Sequence, residues 1–235
     1  MKRKITTIAF DADDTLWHNE TFFRITQERF ADLLRDYTES EHLFERLLAA
    51  ERRNLGHYGF GVKGFVLSMI ETAIEVTEAR VPATVIQELI QAGQDMLRHP
   101  IELLPHVEAT LADFAENYEI LLITKGDMLD QERKLAQSGL GELFDGVEIV
   151  SHKNEATYHE ICQRRTVAPN ELVMVGNSLK SDVLPVLAIG GWAAHVPHEM
   201  TWELERAKAP EAHTRFAEIS DLSQLKNTVQ SFEVL

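Results

Sequence analysis

Asp11 and Asp13 stand two positions apart, directly after the apolar run Ile5 to Phe10. Further along, other polar residues close or follow apolar runs of strand character. Thr124 ends Ile120-Leu121-Leu122-Ile123, Lys153 follows Val147 to Val150, Asn177 follows Glu171 to Val175, and Asp182 comes a helical turn later. Three carboxylates, an amide, a hydroxyl and a lysine at strand ends are a reactive set. Crowded carboxylates repel one another by several kcal/mol at low dielectric, so a cation is expected among them. Hard oxygen donors with no His or Cys select Mg²⁺.

The elements that must position these groups follow from the apolar pattern. Ile5 to Phe10 is short, apolar and rich in Ile and Thr, which predicts a buried strand. From residue 99 onward strands and helices alternate: a helix over 107–117, strand 120–124, a helix ending near Gly139, strand 147–150, helix 155–165 and strand 171–175. A helix between Gly176 and Gly190, strand 192–196, a weaker strand near Phe216 and a helix over 221–232 complete the series. Such alternation predicts an α/β fold with a doubly wound, parallel, Rossmann-like sheet. The first strand must join that sheet, because a lone strand cannot satisfy its backbone groups. Residues between about 17 and 98 read as four helices without a strand. There, Thr38 with Glu41 predicts a capping box and Gly56 a helix end. The expected division is therefore 1–16 with 99–235 as the catalytic core, and 17–98 as an inserted α-helical domain. Open parallel sheets bind ligands at the carboxyl ends of their strands, where Asp11, Asp13, Thr124, Lys153, Asn177 and Asp182 would gather.

Those residues carry a family resemblance. Asp11-Ala12-Asp13-Asp14-Thr15-Leu16 resembles the first motif of the haloacid dehalogenase-like hydrolase superfamily, most of whose members are phosphatases. Ile120 to Lys125-Gly126 is similar to the second motif, Lys153 fits the third, and Gly176-Asn177-Ser178-Leu179-Lys180-Ser181-Asp182 resembles the fourth. The order is right and the whole chain is covered, the helical segment matching a type 1 cap. The resemblance implies a Mg²⁺-dependent phosphatase of small phosphorylated metabolites, with Asp11 as nucleophile and Asp13 as general acid and base. It implies that Thr124, Lys125, Gly126 and Lys153 hold the phosphoryl group. Metal ligands would come from Asp11, the main-chain carbonyl of Asp13, Asn177 and Asp182, the last with a competing role in orienting bound water or Lys153. Asn177 departs from the family, which has an acid there, and one negative charge is lost.

Composition narrows the partners. The chain has 235 residues, with 23 Lys and Arg against 38 Asp and Glu, a net charge of −15. Duplex nucleic acid and anionic membranes both demand a basic surface, so neither is an expected partner. One cysteine, Cys162, allows no internal disulfide and points to a reducing, cytoplasmic setting. The basic start Met1-Lys2-Arg3-Lys4 precedes an apolar stretch too short for a signal peptide. Either a monomer or a homodimer is compatible with the sequence.

Some residues admit two readings. His18 and Asn19 follow the first motif and either face substrate or merely border the cap. Asp14 reads as a turn residue, Trp17 as packing, Lys180 as an exposed helix residue and Cys162 as a small buried one. Arg52, Arg53, His57, Tyr58 and Lys63 form a cationic loop that either meets solvent or an anionic substrate. Alternatives to the phosphatase are a haloacid dehalogenase, a phosphomutase, and a non-catalytic phosphometabolite-binding protein. Halide displacement needs no acid for its leaving group, so Asp13 argues against the dehalogenase.

Overall fold

The computed structural model describes residues 5–234. The basic start at residues 1–4 lies outside the described residues. The chain forms two compact units, one holding the chain up to Glu20 and again from Ile101, the other Thr21–Pro100. The joints thus fall at 20/21 and 100/101, where the sequence placed them at 16/17 and 98/99.

The first unit is built on a six-stranded sheet: β1 (Thr7–Phe10), β2 (Glu119–Lys125), β3 (Gly146–Val150), β4 (Leu172–Gly176), β5 (Trp192–His195) and β6 (Phe216–Glu218). Its order is β3-β2-β1-β4-β5-β6, with all neighbours parallel. β1 and β4 are buried along their whole length, as a parallel sheet covered on both faces requires. Alternation divides the side chains between two cores. Ile8 and Phe10 face the core shared with α5 (Val107–Ala115) and α9 (Leu225–Val234); Ala9, Leu121, Ile123 and Met174 face Tyr158, Ile161 and Cys162 of α7 (Glu155–Arg165). Cys162 is buried as expected.

The second unit holds most of α1 (Glu20–Leu34), then α2 (Ser40–Tyr58), α3 (Val62–Val76) and α4 (Ala83–Arg98). Phe30, Leu34, Leu43, Leu47, Phe65, Met69 and Leu89 make a core of its own. Two expectations fail here. Thr38 does not cap α2, because its N–H still bonds the Leu34 carbonyl at the end of α1; Glu39 takes the capping position without a side-chain bond. Gly56 does not end α2, which continues to Tyr58. Among the described residues no helix is long and apolar enough to cross a membrane.

The segment after β4 also departs from a simple helix. Ser178 caps it by accepting from the Ser181 N–H, Leu179–Val183 forms one π-helical turn, and α8 (Leu184–Ala188) begins only then. Single π turns recur at functional sites, and this one carries Asp182.

Candidate active site

Asp11 extends the ladder of β1 by donating its N–H to the Val175 carbonyl at 2.8 Å. The chain then turns sharply through Ala12 to Trp17, with Asp14 at a positive φ of 60°. Asp14 is a turn residue, as expected: its carboxylate accepts from the N–H groups of Asn19 and Glu20 and so anchors the start of α1. Burial raises its carboxyl, and His198, 3.6 Å away, pulls the other way.

Lys153 lies between two carboxylates. Its Nζ donates to Oδ1 of Asp11 and, at 2.7 Å, to Oδ1 of Asp182. The Lys153 and Asp182 side chains are each 1% exposed. Burial works to lower the Lys153 ammonium, but the two acids outweigh it and the group is raised. Burial pushes the Asp11 carboxyl up to about 7, with Lys153 opposing and Asp182 adding to the rise. Asp182 can come this close only because residue 176 is glycine: a Cβ there would sit 2.3 Å from Asp182 Oδ2.

The remaining lone pairs decide which groups could hold a cation. Asp11 Oδ2 and Asn177 Oδ1 each lie 3.4 Å from the Thr15 hydroxyl, which itself accepts from the Asn177 N–H at 3.0 Å. Two hard oxygens thus converge beside one buried hydroxyl, a donor set that suits Mg²⁺. The Asp182 Oδ1 accepts from Lys153 and its Oδ2 from the Ser178 N–H at 2.9 Å, so this carboxylate fixes both the lysine and the turn after β4. Among the described residues no cluster of three or more His, Cys, Asp or Glu is arranged for a metal; the set at Asp11 and Asn177 includes an amide.

Asp13 is held from three sides. Trp17 Nε1 and Lys134 Nζ donate to its Oδ1 at 2.8 and 2.9 Å, and Gln131 Nε2 to its Oδ2 at 3.3 Å. Gln131 also donates to Thr124 Oγ1 at 2.6 Å, linking the ends of β1 and β2. Lys134 donates to Asn19 Oδ1 at 2.8 Å, so Asn19 joins the cluster. His18 does not share in these bonds; its ring sits edge-on to His198, on the Asp14 side of the turn.

Thr124, Lys125 and Gly126 lead from β2 into α6 (Met128–Ser138), which Asp127 caps by accepting from the Asp130 N–H. Gly126 has a φ of 149°, reached by few residues with a side chain. A helix N-terminus of this kind favours anions. The Lys125 side chain turns away to Glu205, 2.6 Å distant.

The haloacid dehalogenase-like hydrolase model matches residues 5–190. The chain belongs to this family. A haloacid dehalogenase-like family hydrolase from Xanthomonas campestris is similar over 99% of this chain and 94% of its own, with 40% identity and a TM-score of 0.90. The hydrolase YfnB from Bacillus subtilis, bound to magnesium, has the same fold at 14% identity and a TM-score of 0.66, over 97% of this chain and 99% of its own. A glyceraldehyde 3-phosphate phosphatase from Methanothermobacter thermautotrophicus is 32% identical over 128 residues, 52% of this chain. The match spans about half of that relative, 56% of its length.

Sequence reasoning for this haloacid dehalogenase-like hydrolase missed Thr15, Gln131, Lys134 and Glu205. Two of them had a signal: residues 131 and 134 are three apart and share a helix face, and Thr124 lies just upstream of that helix. Thr15 stands inside the first motif, where the residue type alone does not show that its hydroxyl meets Asp11 and Asn177.

Proposed function

We propose that the protein is a Mg²⁺-dependent phosphatase acting on small phosphomonoesters through a phosphorylated Asp11. The observation that carries this reading is the placement of Asp13. Its carboxylate lies beside the Asp11 turn, fixed by Trp17, Lys134 and Gln131. A general acid held there serves a poor alkoxide leaving group and would be idle in halide displacement.

The Asp11 oxygen beside Lys153 attacks phosphorus, the bond to the ester oxygen breaks, and Asp13 gives that oxygen its proton. Asp13 then takes a proton from water, which attacks the same phosphorus, and the bond to Asp11 breaks to release inorganic phosphate. The Thr124 hydroxyl and the N–H groups of Lys125 and Gly126 receive the phosphoryl oxygens. Lys153 offsets charge on the group in transfer, and Asp182 fixes Lys153. Asp11, the Asp13 main-chain carbonyl and Asn177 would hold Mg²⁺, which when bound supplies charge neutralisation between the anionic nucleophile and the anionic substrate. The phosphatase named among the relatives acts on a small phosphorylated metabolite, which supports the substrate class.

Turnover of a generic aryl phosphate, with and without Mg²⁺, tests the reading. Hydrolysis that requires Mg²⁺ and vanishes in Asp11→Asn is the expected result; binding of phosphomonoesters without turnover would sink it. Asn177→Asp restores a negative charge at the ligand position and should lower the Mg²⁺ concentration for half-maximal rate. A panel of phosphomonoesters then separates the substrates.

A further inference from the structure

The connection between β5 and β6 runs from Val196 to Arg215 with a single short helical turn, Glu203–Glu205. So long a connection with so little regular structure is uncommon in a compact domain. Glu205 reaches from it to the rim of the site. One of its oxygens, Oε2, accepts from Lys125 Nζ at 2.6 Å, Ser178 Oγ at 2.7 Å and Ser181 Oγ at 2.5 Å. Lys125 Nζ also donates to Ser181 Oγ at 2.8 Å, and Lys180 Nζ fastens the Leu204 carbonyl of the same turn at 2.7 Å.

The partners adjoin the working groups, and Lys125 meets Glu205 through its side chain while its N–H faces the phosphoryl site. Lys125 lies between Thr124 and Gly126, Ser178 follows Asn177, and Ser181 precedes Asp182. The Glu205 and Lys125 side chains are 13% and 17% exposed. Charge-assisted bonds in such surroundings are short and directional. A single carboxylate oxygen therefore ties the phosphoryl-binding end of β2 to the turn after β4.

We propose that Glu205 is a positioning residue, which through Lys125, Ser178 and Ser181 sets the spacing between the Thr124–Gly126 anion site and the Asn177 turn. This rests on the phosphatase reading above. A brace and a bare charge make opposite predictions. If only charge mattered, losing Glu205 would tighten an anion, and losing Lys125 would tighten a cation. If the tie matters, losing either end loosens both.

The experiment measures inorganic phosphate binding by calorimetry and Mn²⁺ binding by the paramagnetic resonance of the free ion. It uses the full chain, wild type and the variants Glu205→Gln, Glu205→Asp, Lys125→Met and the Glu205→Gln/Lys125→Met pair. Each single variant is expected to weaken both ligands by about tenfold, the scale of one charge-assisted bond. The double variant should be no weaker than the weaker single one, because both remove the same tie. Glu205→Asp keeps the charge but loses reach, so it should behave as Glu205→Gln does; it also serves if another variant fails to fold. Tighter phosphate in Glu205→Gln, tighter Mn²⁺ in Lys125→Met, or wild-type behaviour of Glu205→Asp would each overturn the brace. If the wild type binds neither phosphate nor Mn²⁺, the phosphatase reading falls and takes the brace with it; if it binds both and the signs split, the brace alone falls.

Discussion

The helical unit pairs its charges at the surface, whereas the sheet unit, beside exposed pairs such as Lys226 with Asp113, buries a cluster of charges at its strand ends. Arg46 and Glu75 meet with both side chains 41% exposed, and Arg29 reaches Glu88 and Asp95 in similar surroundings. Lys153 and Asp182, by contrast, are withdrawn from water with Asp11 beside them. Exposed pairs of the first kind contribute about 0–1 kcal/mol. A buried cluster costs desolvation that its internal attraction only partly returns. The sheet unit thus holds an arrangement that stability alone would not select, and the chemistry is to be sought there.

The sharpest way to break this contrast is at Asp11. Asp11→Asn should lower turnover by on the order of 10⁴-fold or more while raising the thermal midpoint of the metal-free protein. The sign follows from the titration. The carboxyl ionises near 3.8 in the unfolded chain and near 7 when folded, so the folded state holds the extra proton between those values and stability falls as pH rises through that window. The gain in Asp11→Asn should therefore be largest above pH 7 and vanish near pH 4, at about 2–4 °C for each kcal/mol in a chain of this length. Melting curves at pH 4, 5 and 8 decide it; a variant less stable than wild type at pH 8 would contradict the buried-charge account.

Lys153→Met comes next. It leaves two buried carboxylates facing each other, and about 3–5 kcal/mol should be lost at neutral pH, read by denaturant unfolding. In the helical unit the largest polar effect should come from Asn54, whose side chain donates to Ser68 at 3.1 Å and Glu71 at 2.9 Å. Asn54→Ala removes both bonds from a buried position, one of them to a carboxylate, and should cost about 1–3 kcal/mol. Arg46→Ala, at the exposed pair, should fall within about 1 kcal/mol of wild type. If Arg46→Ala proved as damaging as Lys153→Met, the contrast between the units would fail.

Much of the architecture was legible because two periodicities coexist in one chain. The alternation of short apolar runs with helical stretches announces a parallel sheet, and the reactive residues sit where those runs stop. What stayed hidden depends on contacts distant in sequence. Glu205 belongs to a connection with no periodic pattern, and its partners are at 125, 178 and 181. The motif offered Asp182 both as a metal ligand and as a group that orients Lys153; its bonds to Lys153 and the Ser178 N–H appear only once those groups are placed around it. The end of α2 was misplaced for a local reason, since one exposed Gly56 is a weaker stop than the surrounding packing is a support.

Trp17 was expected only to pack, yet its indole N–H is bonded to Asp13, the carboxylate proposed above for proton transfer. That bond makes the residue an intrinsic optical probe. With Trp192 and Trp202 replaced by Phe, a single emitter would remain, wired to Asp13, and stopped-flow fluorescence could follow the behaviour of that acid during each catalytic cycle without an attached dye.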